Sequence, residues 1–561
     1  NPGFDRGMER WGVGGTLEDS VWAAGAGADR SGALHIRTTG RGDTAANLIR
    51  GRLSEPLTNG TPVTIRAQAR WMRGTPEILL RLHGNYLELA GVMPVPKNLG
   101  TPGAPNSVAA ANIGPSISLV RHSPILPVAN QQATVLAQID DNDQVALAQL
   151  FYRVDPETNY TRAPMVYRGA GYFSGVIPGQ SNLATVAFYI EALDSKGASS
   201  RFPAPVESEG VILFGDGTLS GNLGTYRLWL TQRNLDRWQR REQASNKPLD
   251  ATFVYNDERV VYNMGAHYSG SPFHWRGYSG PLGGSANYMM TFPDDDLFLG
   301  QTDFVLMLPS NLGSDSTGVR EQVFFWMADQ LNQPFNHRRY HHLFLNGRNR
   351  GLAGAGLQRV YEDVQQPSRD MIEQWFPLDP DGELYKIEDW FEFSDTFSFM
   401  NEDGTLTAFY TTNLATGTPE LKREPYRWMF RKRAVRDSAH DYSELLRLVA
   451  AVNNPDPEEF VAQTRALVDI DEWMGAIALR HVVGDWDSFG YARGKNMYAY
   501  KPANGKWNLM HWDIAFAFGL GDGTQTGLFA TIEQITARMM ETPEFQRSYL
   551  RALSEAANGP M

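Results

Sequence analysis

In residues 63–71, Val63, Ile65, Ala67, Ala69 and Trp71 alternate with Thr64, Arg66, Gln68 and Arg70, the two-residue period of a half-buried strand. Short strands are predicted next at 78–82 and 86–89, around the turn His83-Gly84-Asn85, and then at 133–139 and 145–154. The alternation is clearest over 184–193. There Val186, Phe188, Ile190 and Ala192 oppose Thr185, Ala187, Tyr189 and Glu191, before the turn Asp194-Ser195-Lys196-Gly197. After about residue 224 helical spacing joins the pattern. Residues 225–246 start apolar and become helical and charged, 252–255 and 260–262 form a hairpin, and 288–292 a strand. Val319, Val323, Phe324, Met327 and Leu331 recur at helical spacing over 316–331, with Asp315 or Ser316 as cap. Strands follow at 341–345, 357–364 and 384–387, and helices at 437–452 and 458–483. The last segment, 533–557, predicts helices without evident partner elements, the pattern of a chain cut before its natural end.

Turn signals between short strands argue for two β-sandwiches. The first, 1–91, is expected to be jelly-roll-like, and the second, 117–207, to resemble immunoglobulin or fibronectin modules. Loop-rich linkers are expected at 92–116 and 208–223. Sandwiches of the first kind often carry glycan sites, but Trp71 shares its face with aliphatic residues, so a core position is the simpler reading. The loop Asp140-Asp141-Asn142-Asp143 has oxygens for calcium, against the commoner role of a solvated turn. Residues 224–561 are expected to form one α+β domain with its helices concentrated late.

Composition narrows the function. A length of 561 residues suits two to four domains, and 42% hydrophobic residues with 54 glycines and 32 prolines read as globular and loop-rich. The net charge of -12 leaves no basic excess for a nucleic-acid backbone or an anionic membrane, although a local basic pocket is compatible with it. No apolar run approaches the roughly 20 residues of a transmembrane helix. The absence of cysteine removes disulfides, thiolate zinc sites and thiol nucleophiles without deciding the compartment. Asn1 in place of an initiator methionine is compatible with a removed signal peptide.

Candidate chemistry concentrates in residues 481–520, which place Asp485, Asp487, Asn496 and Asp513 around two strand-like runs, 496–501 and 506–510. Phosphoryl transfer needs an aspartate to orient the attacking hydroxyl, and Asn and Asp oxygens to hold magnesium against the phosphates. Asp487, Asn496 and Asp513 offer these groups in that order. The spacing differs from protein kinases, with nine positions between Asp487 and Asn496 and His-Trp-Asp-Ile in place of Asp-Phe-Gly. Capping and turn roles therefore compete with catalysis on spacing alone. The glycine-rich stretch 270–284 permits close approach to a ligand but lacks P-loop spacing. His337, His341 and His342 fit no zinc pattern and read as strand surface.

Asp485-Trp486-Asp487-Ser488, Gly494-Lys495-Asn496-Met497-Tyr498-Ala499-Tyr500, Lys506-Trp507-Asn508-Leu509 and Trp512-Asp513 together resemble the signature of the CotH spore-coat kinase family. Arg276-Gly277-Tyr278-Ser279, Phe298-Leu299-Gly300, Leu345-Asn346-Gly347 with Gly351, Glu362, and Leu384-Tyr385-Lys386 are similar to that family's other blocks in the same order, over about 224–561. The resemblance implies an atypical protein-kinase-like fold that binds ATP and magnesium and phosphorylates hydroxyl side chains. It implies a secreted or cell-surface protein whose partner is a protein substrate or coat component. Asp487 would be the catalytic aspartate and Asn496 and Asp513 the magnesium ligands. Arg276 would approach the phosphates, and Glu362 and Lys386 would be an acidic and basic pair at the nucleotide. Two positions depart from the family pattern: Ser285-Ala286-Asn287 replaces its lysines, and Ala515 stands where it has an acid. A catalytically inactive structural, adhesive or glycan-binding protein, with the N-terminal sandwich as the glycan site, is the alternative.

Overall fold

The computed structural model describes residues 1, 3–40, 42, 46–58, 61–82, 87–95, 109–217, 222–270, 278–283, 286–309, 315, 317–351, 360–389, 403–433, 438–519 and 526–561. They cluster into two units. Asn1–Arg52, Lys97–Leu308 and Arg339–Val364 form the first, and Leu53–Pro96, Pro309–Arg338 and Gln365–Met561 the second.

In the first unit the clearest alternation builds the longest ladders. Thr185–Asp194 pairs with Val145–Val154 on one side and with Ser199–Phe202 and Gly210–Leu213 on the other. A second sheet runs in the order Val166–Gly169, Tyr172–Ile177, Ala133–Asp140, Ser116–Ser123. Ala133, Val135, Ala137 and Ile139 of one sheet share a core with Val186, Phe188, Ile190 and Ala192 of the other, at the two-residue spacing the pattern predicts. Two sheets around one core are consistent with the sandwich expected at 117–207. Gly210–Leu213 falls in the expected linker 208–223, yet all four residues are buried strand. A run this short shows no period, and only its ladder defines it.

The expected first sandwich differs more. The described part of 1–91 forms three separate two-stranded sheets, Trp11–Val13 with Ile49–Gly51, Val21–Ala23 with Ala33–His35, and Glu77–Leu82 with Leu87–Val92. Residues 63–71, expected as a strand, have no ladder; Val63 is 37% exposed. Trp71 does not fill a core: it is half-buried and donates its indole N–H to the Gly74 carbonyl at 2.8 Å. Alternation becomes a strand only where a neighbour takes up the backbone N–H and C=O groups. Most of the expected linker 92–116 lies outside the described residues.

Gly224–Trp229 opens an eight-stranded sheet in the first unit. It pairs antiparallel with Leu249–Tyr255 and parallel with Arg338–Leu345, so the sheet closes on itself. Tyr226, Phe253 and Phe298 pack together, the last two with ring centroids 4.9 Å apart. Trp229, Val254 and Tyr262 of this sheet join the sandwich core, making one hydrophobic body. His341, expected on a strand surface, is buried and stacked 4.0 Å from Tyr226.

The second unit contains strands β1 (Glu77–Leu82), β2 (Leu87–Val92), β3 (Glu383–Ile387), β4 (Tyr410–Thr412), β5 (Pro419–Leu421), β6 (Phe430–Lys432), β7 (Met497–Lys501) and β8 (Asn508–His511). Its helices among the described residues are α1 (Arg320–Gln330), α2 (Arg369–Trp375), α3 (Tyr426–Met429), α4 (Ser443–Val452), α5 (Pro457–Leu467), α6 (Ile470–Val482), α7 (Gln534–Glu541) and α8 (Pro543–Asn558). An antiparallel sheet β6-β3-β7-β8 packs Tyr385, Ile387, Met497, Ala499 and Leu509 against Leu445, Leu448 and Val449 of α4, Phe460 of α5, and Trp473, Met474 and Ile477 of α6. The single helix expected over 458–483 is two. Between α5 and α6 the Trp507 N–H donates to the Leu467 carbonyl and the Asp469 N–H to the Trp507 carbonyl, and the Asp469 side chain then caps α6 by accepting from the Glu472 N–H. The terminal helices expected to lack partners have one, because α8 packs along α6.

The β1–β2 hairpin belongs to this unit although it precedes its main body by more than 200 positions of chain. Glu88 receives both arms of Arg427 at 2.8 Å, Arg81 lies 4.6 Å over the Trp428 ring, and Glu77 accepts the Ala439 N–H at 3.0 Å. Glu88→Ala strands the buried Arg427 charge, and urea unfolding is expected to register a loss of about 3 kcal/mol or more. The double variant Glu88→Met with Arg427→Met should recover much of that loss.

Candidate active site

Helix α6 carries a charge in an apolar context: Arg480 follows Met474, Ala476, Ile477, Ala478 and Leu479, all buried. Its side chain is fully buried, and so is that of its ion-pair partner Asp485, just past the helix end. The same guanidinium donates to the backbone carbonyls of Asn496 at 2.5 Å, Trp512 at 2.6 Å and Asp513 at 3.4 Å. One side chain thus ties together the loop after α6, the start of β7 and the end of β8. Asn496 and Asp513 both adopt left-handed backbone, at φ of +60° and +52°. Asn and Asp are the non-glycine residues that tolerate this region best.

These ties set the positions of the expected catalytic groups. Asn496 Nδ2 donates to the Asp487 carbonyl at 2.7 Å and to Asp487 Oδ2 at 3.1 Å, which leaves the Asn496 side-chain oxygen as its remaining acceptor. Lys495 Nζ lies 3.2 Å from Asp487 Oδ1 and 3.8 Å from Asp389 Oδ2. Arg493 bridges Asp389 and Asp403, each at 2.9 Å, and the Gly494 N–H also donates to Asp403. Burial pushes the Asp487 carboxyl up to about 6; Lys495 opposes that rise, while Asp513 and Asp485 add to it. Asp485 is likewise raised, by burial above all, against the pull of Arg480.

From the other side, α1 holds the segment that follows Asp513. Glu321 accepts the Ile514 N–H at 3.2 Å and Arg320 donates to the Ala517 carbonyl at 3.0 Å. His511 Nε2 meets Gln333 Oε1 at 2.7 Å, and burial keeps this imidazole well below its ordinary pKa.

Residues 287–561 match the sequence model of the family described as CotH kinase protein. This part of the chain is a CotH domain. The chain matches none of the curated proteins. Family membership suggests kinase-like function and use of a nucleotide and metal in general terms. The CotH match begins at Asn287, inside the eight-stranded sheet, so residues 224–286, expected as part of the domain, lie upstream of the match while sharing that sheet. Asn287 is structural, its side chain accepting the Leu308 N–H at 3.0 Å.

Of the expected site residues, Asp487 and Asn496 are in direct contact and Asp513 is coupled to Asp487 through its charge. Lys386 lies on β3 and pairs with Glu388 at 2.5 Å. Burial disfavours the Glu388 charge, but Lys386, Arg431 and Arg433 outweigh it and hold this carboxyl below its usual range. Glu362 is buried on the strand Tyr361–Gln365. Arg276 lies outside the described residues, as does Ser285. Ala515 is buried and offers no oxygen. Asp487, Asn496 and Asp513 would offer hard oxygens, two of the three residues being carboxylates, and that chemistry suits a hard divalent cation such as magnesium.

Sequence reasoning missed Arg480, Lys495, Asp389, Arg493 and Asp403. The first carried a signal, since a lone arginine inside a run as apolar as 473–479 must find partners when the helix is buried. The others come together only through folding. A tighter acidic group lies in the first unit, where Asp141, Asp143 and Asp194 offer oxygens within 4.8 Å of one another, with the Lys196 ammonium 2.7 Å from Asp143.

Two outcomes follow. Arg480→Met leaves Asp485 and three carbonyls without their donor, and the expected loss by urea unfolding is about 3–5 kcal/mol; a double variant with Asp485→Leu should lose less. Asp487 holds its proton more tightly folded, at about 6, than at its ordinary 3.8, so its contribution to stability falls as pH rises from about 4 to about 6 and stays low above that. Asp487→Asn removes the penalty. Its advantage over wild type should widen across that window by on the order of 3 kcal/mol, and parallel stability profiles for the two proteins would contradict the raised value.

Proposed function

We propose that the CotH domain transfers the terminal phosphoryl group of ATP, with magnesium, to a hydroxyl side chain of a protein, and that it does so at a cell surface or in secreted form. The observation that carries this reading is the contact of Asp487 with Asn496, whose carbonyl is held by Arg480 together with that of Asp513. In this reading Asp487 accepts the acceptor hydroxyl's proton as the new O–P bond forms and the bond from the γ-phosphorus to the bridging oxygen breaks, with ADP as the leaving group. A carboxyl raised to about 6 is a stronger base than an ordinary one and remains mostly ionised near neutral pH. Asn496 and Asp513 supply the oxygens for magnesium, which when bound would neutralise the phosphates. Lys386 is the cationic candidate on β3 for the nucleotide, and Glu362 and Arg276 keep the roles that the family resemblance implies.

A second reading, a non-catalytic adhesive or glycan-binding protein, is favoured by buried Ala515, which removes one oxygen from the family's pattern. Full-length protein incubated with γ-labelled ATP and magnesium should label itself or an added acceptor protein, and Asp487→Asn should reduce transfer by about 10²–10⁴-fold. Equal labelling by both would remove Asp487 from the chemistry. Calorimetry with ATP and magnesium separates the two readings, since absence of saturable binding supports the non-catalytic one.

A further inference from the structure

The Lys495 ammonium stands among acids. It is 3.2 Å from Asp487 and 3.8 Å from Asp389, and its charged form is also favoured by Asp513. Its side chain is only 13% exposed. The neighbouring charges are largely matched: Asp485 pairs with Arg480, and Asp389 with Arg493. Among the described residues Lys495 is thus the cation in ion-pair reach of Asp487, although Arg493 also acts on that carboxylate through its charge. Its backbone is flanked on one side by Arg493 and Gly494, anchored on Asp389 and Asp403, and on the other by Asn496, whose carbonyl is held by Arg480. An ammonium so placed neutralises the same carboxylate charge that a divalent cation would neutralise.

We propose that Lys495 is a positioning residue that serves as resident counter-ion of the Asp487–Asp513 pair, opposing divalent cation binding until nucleotide arrives, whose phosphate then draws the ammonium away from Asp487. This rests on the phosphoryl-transfer reading above. Two carboxylates facing one ammonium and a divalent cation carry a net positive charge, whereas a phosphate brought with the cation restores balance. Cation and nucleotide should therefore bind with positive coupling, and that coupling should depend on Lys495.

Binding of Mn²⁺ to the full chain, followed by electron paramagnetic resonance with and without ATP, tests this. Lys495→Gln should bind Mn²⁺ alone roughly 5-fold or more tightly than wild type, bind ATP more weakly, and lose most of the mutual enhancement. Lys495→Arg, which keeps the charge, should restore weak binding of Mn²⁺ alone. A lysine that only braced the loop would give the opposite sign, since its loss would loosen the site and weaken Mn²⁺. If wild type binds Mn²⁺ with ATP and Lys495→Gln binds Mn²⁺ alone no more tightly, the counter-ion role is overturned and phosphoryl transfer stands. If wild type binds neither Mn²⁺ nor ATP, the phosphoryl-transfer reading falls and this proposal with it. Matching thermal melts of the variants would establish that the differences arise at the site.

Discussion

A buried guanidinium is the constraint on which the second unit depends. Arg480 cannot enter an apolar helix face without replacing its lost hydration, and one carboxylate leaves several of its N–H groups unsatisfied. The remaining partners are backbone carbonyls of Asn496, Trp512 and Asp513, on segments distant in sequence from α6. Satisfying one side chain therefore fixes where three segments meet, and that junction carries the candidate site. The same requirement explains the left-handed backbone at Asn496 and Asp513. Both residue types suit a conformation that turns their carbonyls toward Arg480, and both carry side-chain oxygens of the kind a hard cation takes.

Around this junction the sheet and helices act as a rigid frame. The Asp469 cap starts α6, the Trp507 backbone bonds close the α5–α6 break, and the packing of β3, β7 and β8 on α4 to α6 sets the depth at which Asp487 is buried. Depth matters chemically: removal from water raises the carboxyl, and Lys495 keeps the rise moderate. Base strength at this site is thus a product of packing as much as of residue identity.

The remainder of the chain follows different physics. In the first unit, alternation builds two sheets on one core and a sheet closed on itself, joined through Trp229, Val254 and Tyr262, with buried ion pairs at Arg153 and Arg227. The β1–β2 hairpin is assigned to the second unit by the Glu88–Arg427 pair and the Arg81–Trp428 contact, neither of which follows from its position in the chain.

Local pattern determined much of this by itself. The strands around Val186 to Ala192, the helical segments 437–452 and 458–483 and the strands β7 and β8 were legible because period is a property of neighbouring residues, whereas the break between α5 and α6 is set by Trp507. The family blocks likewise marked Asp487, Asn496 and Asp513, and buried Arg480 left a trace as a lone charge in an apolar run. Tertiary structure alone decided which alternating stretches became strands: 63–71 found no ladder partner, while Gly210–Leu213, too short to show a period, found Thr185–Asp194. It alone placed Lys495 against Asp487 and Asp389, and Arg493 against Asp403. Hydrogen-bond pairing, burial and charge proximity are relations between distant residues, and a one-dimensional pattern records only the side chains that can enter them.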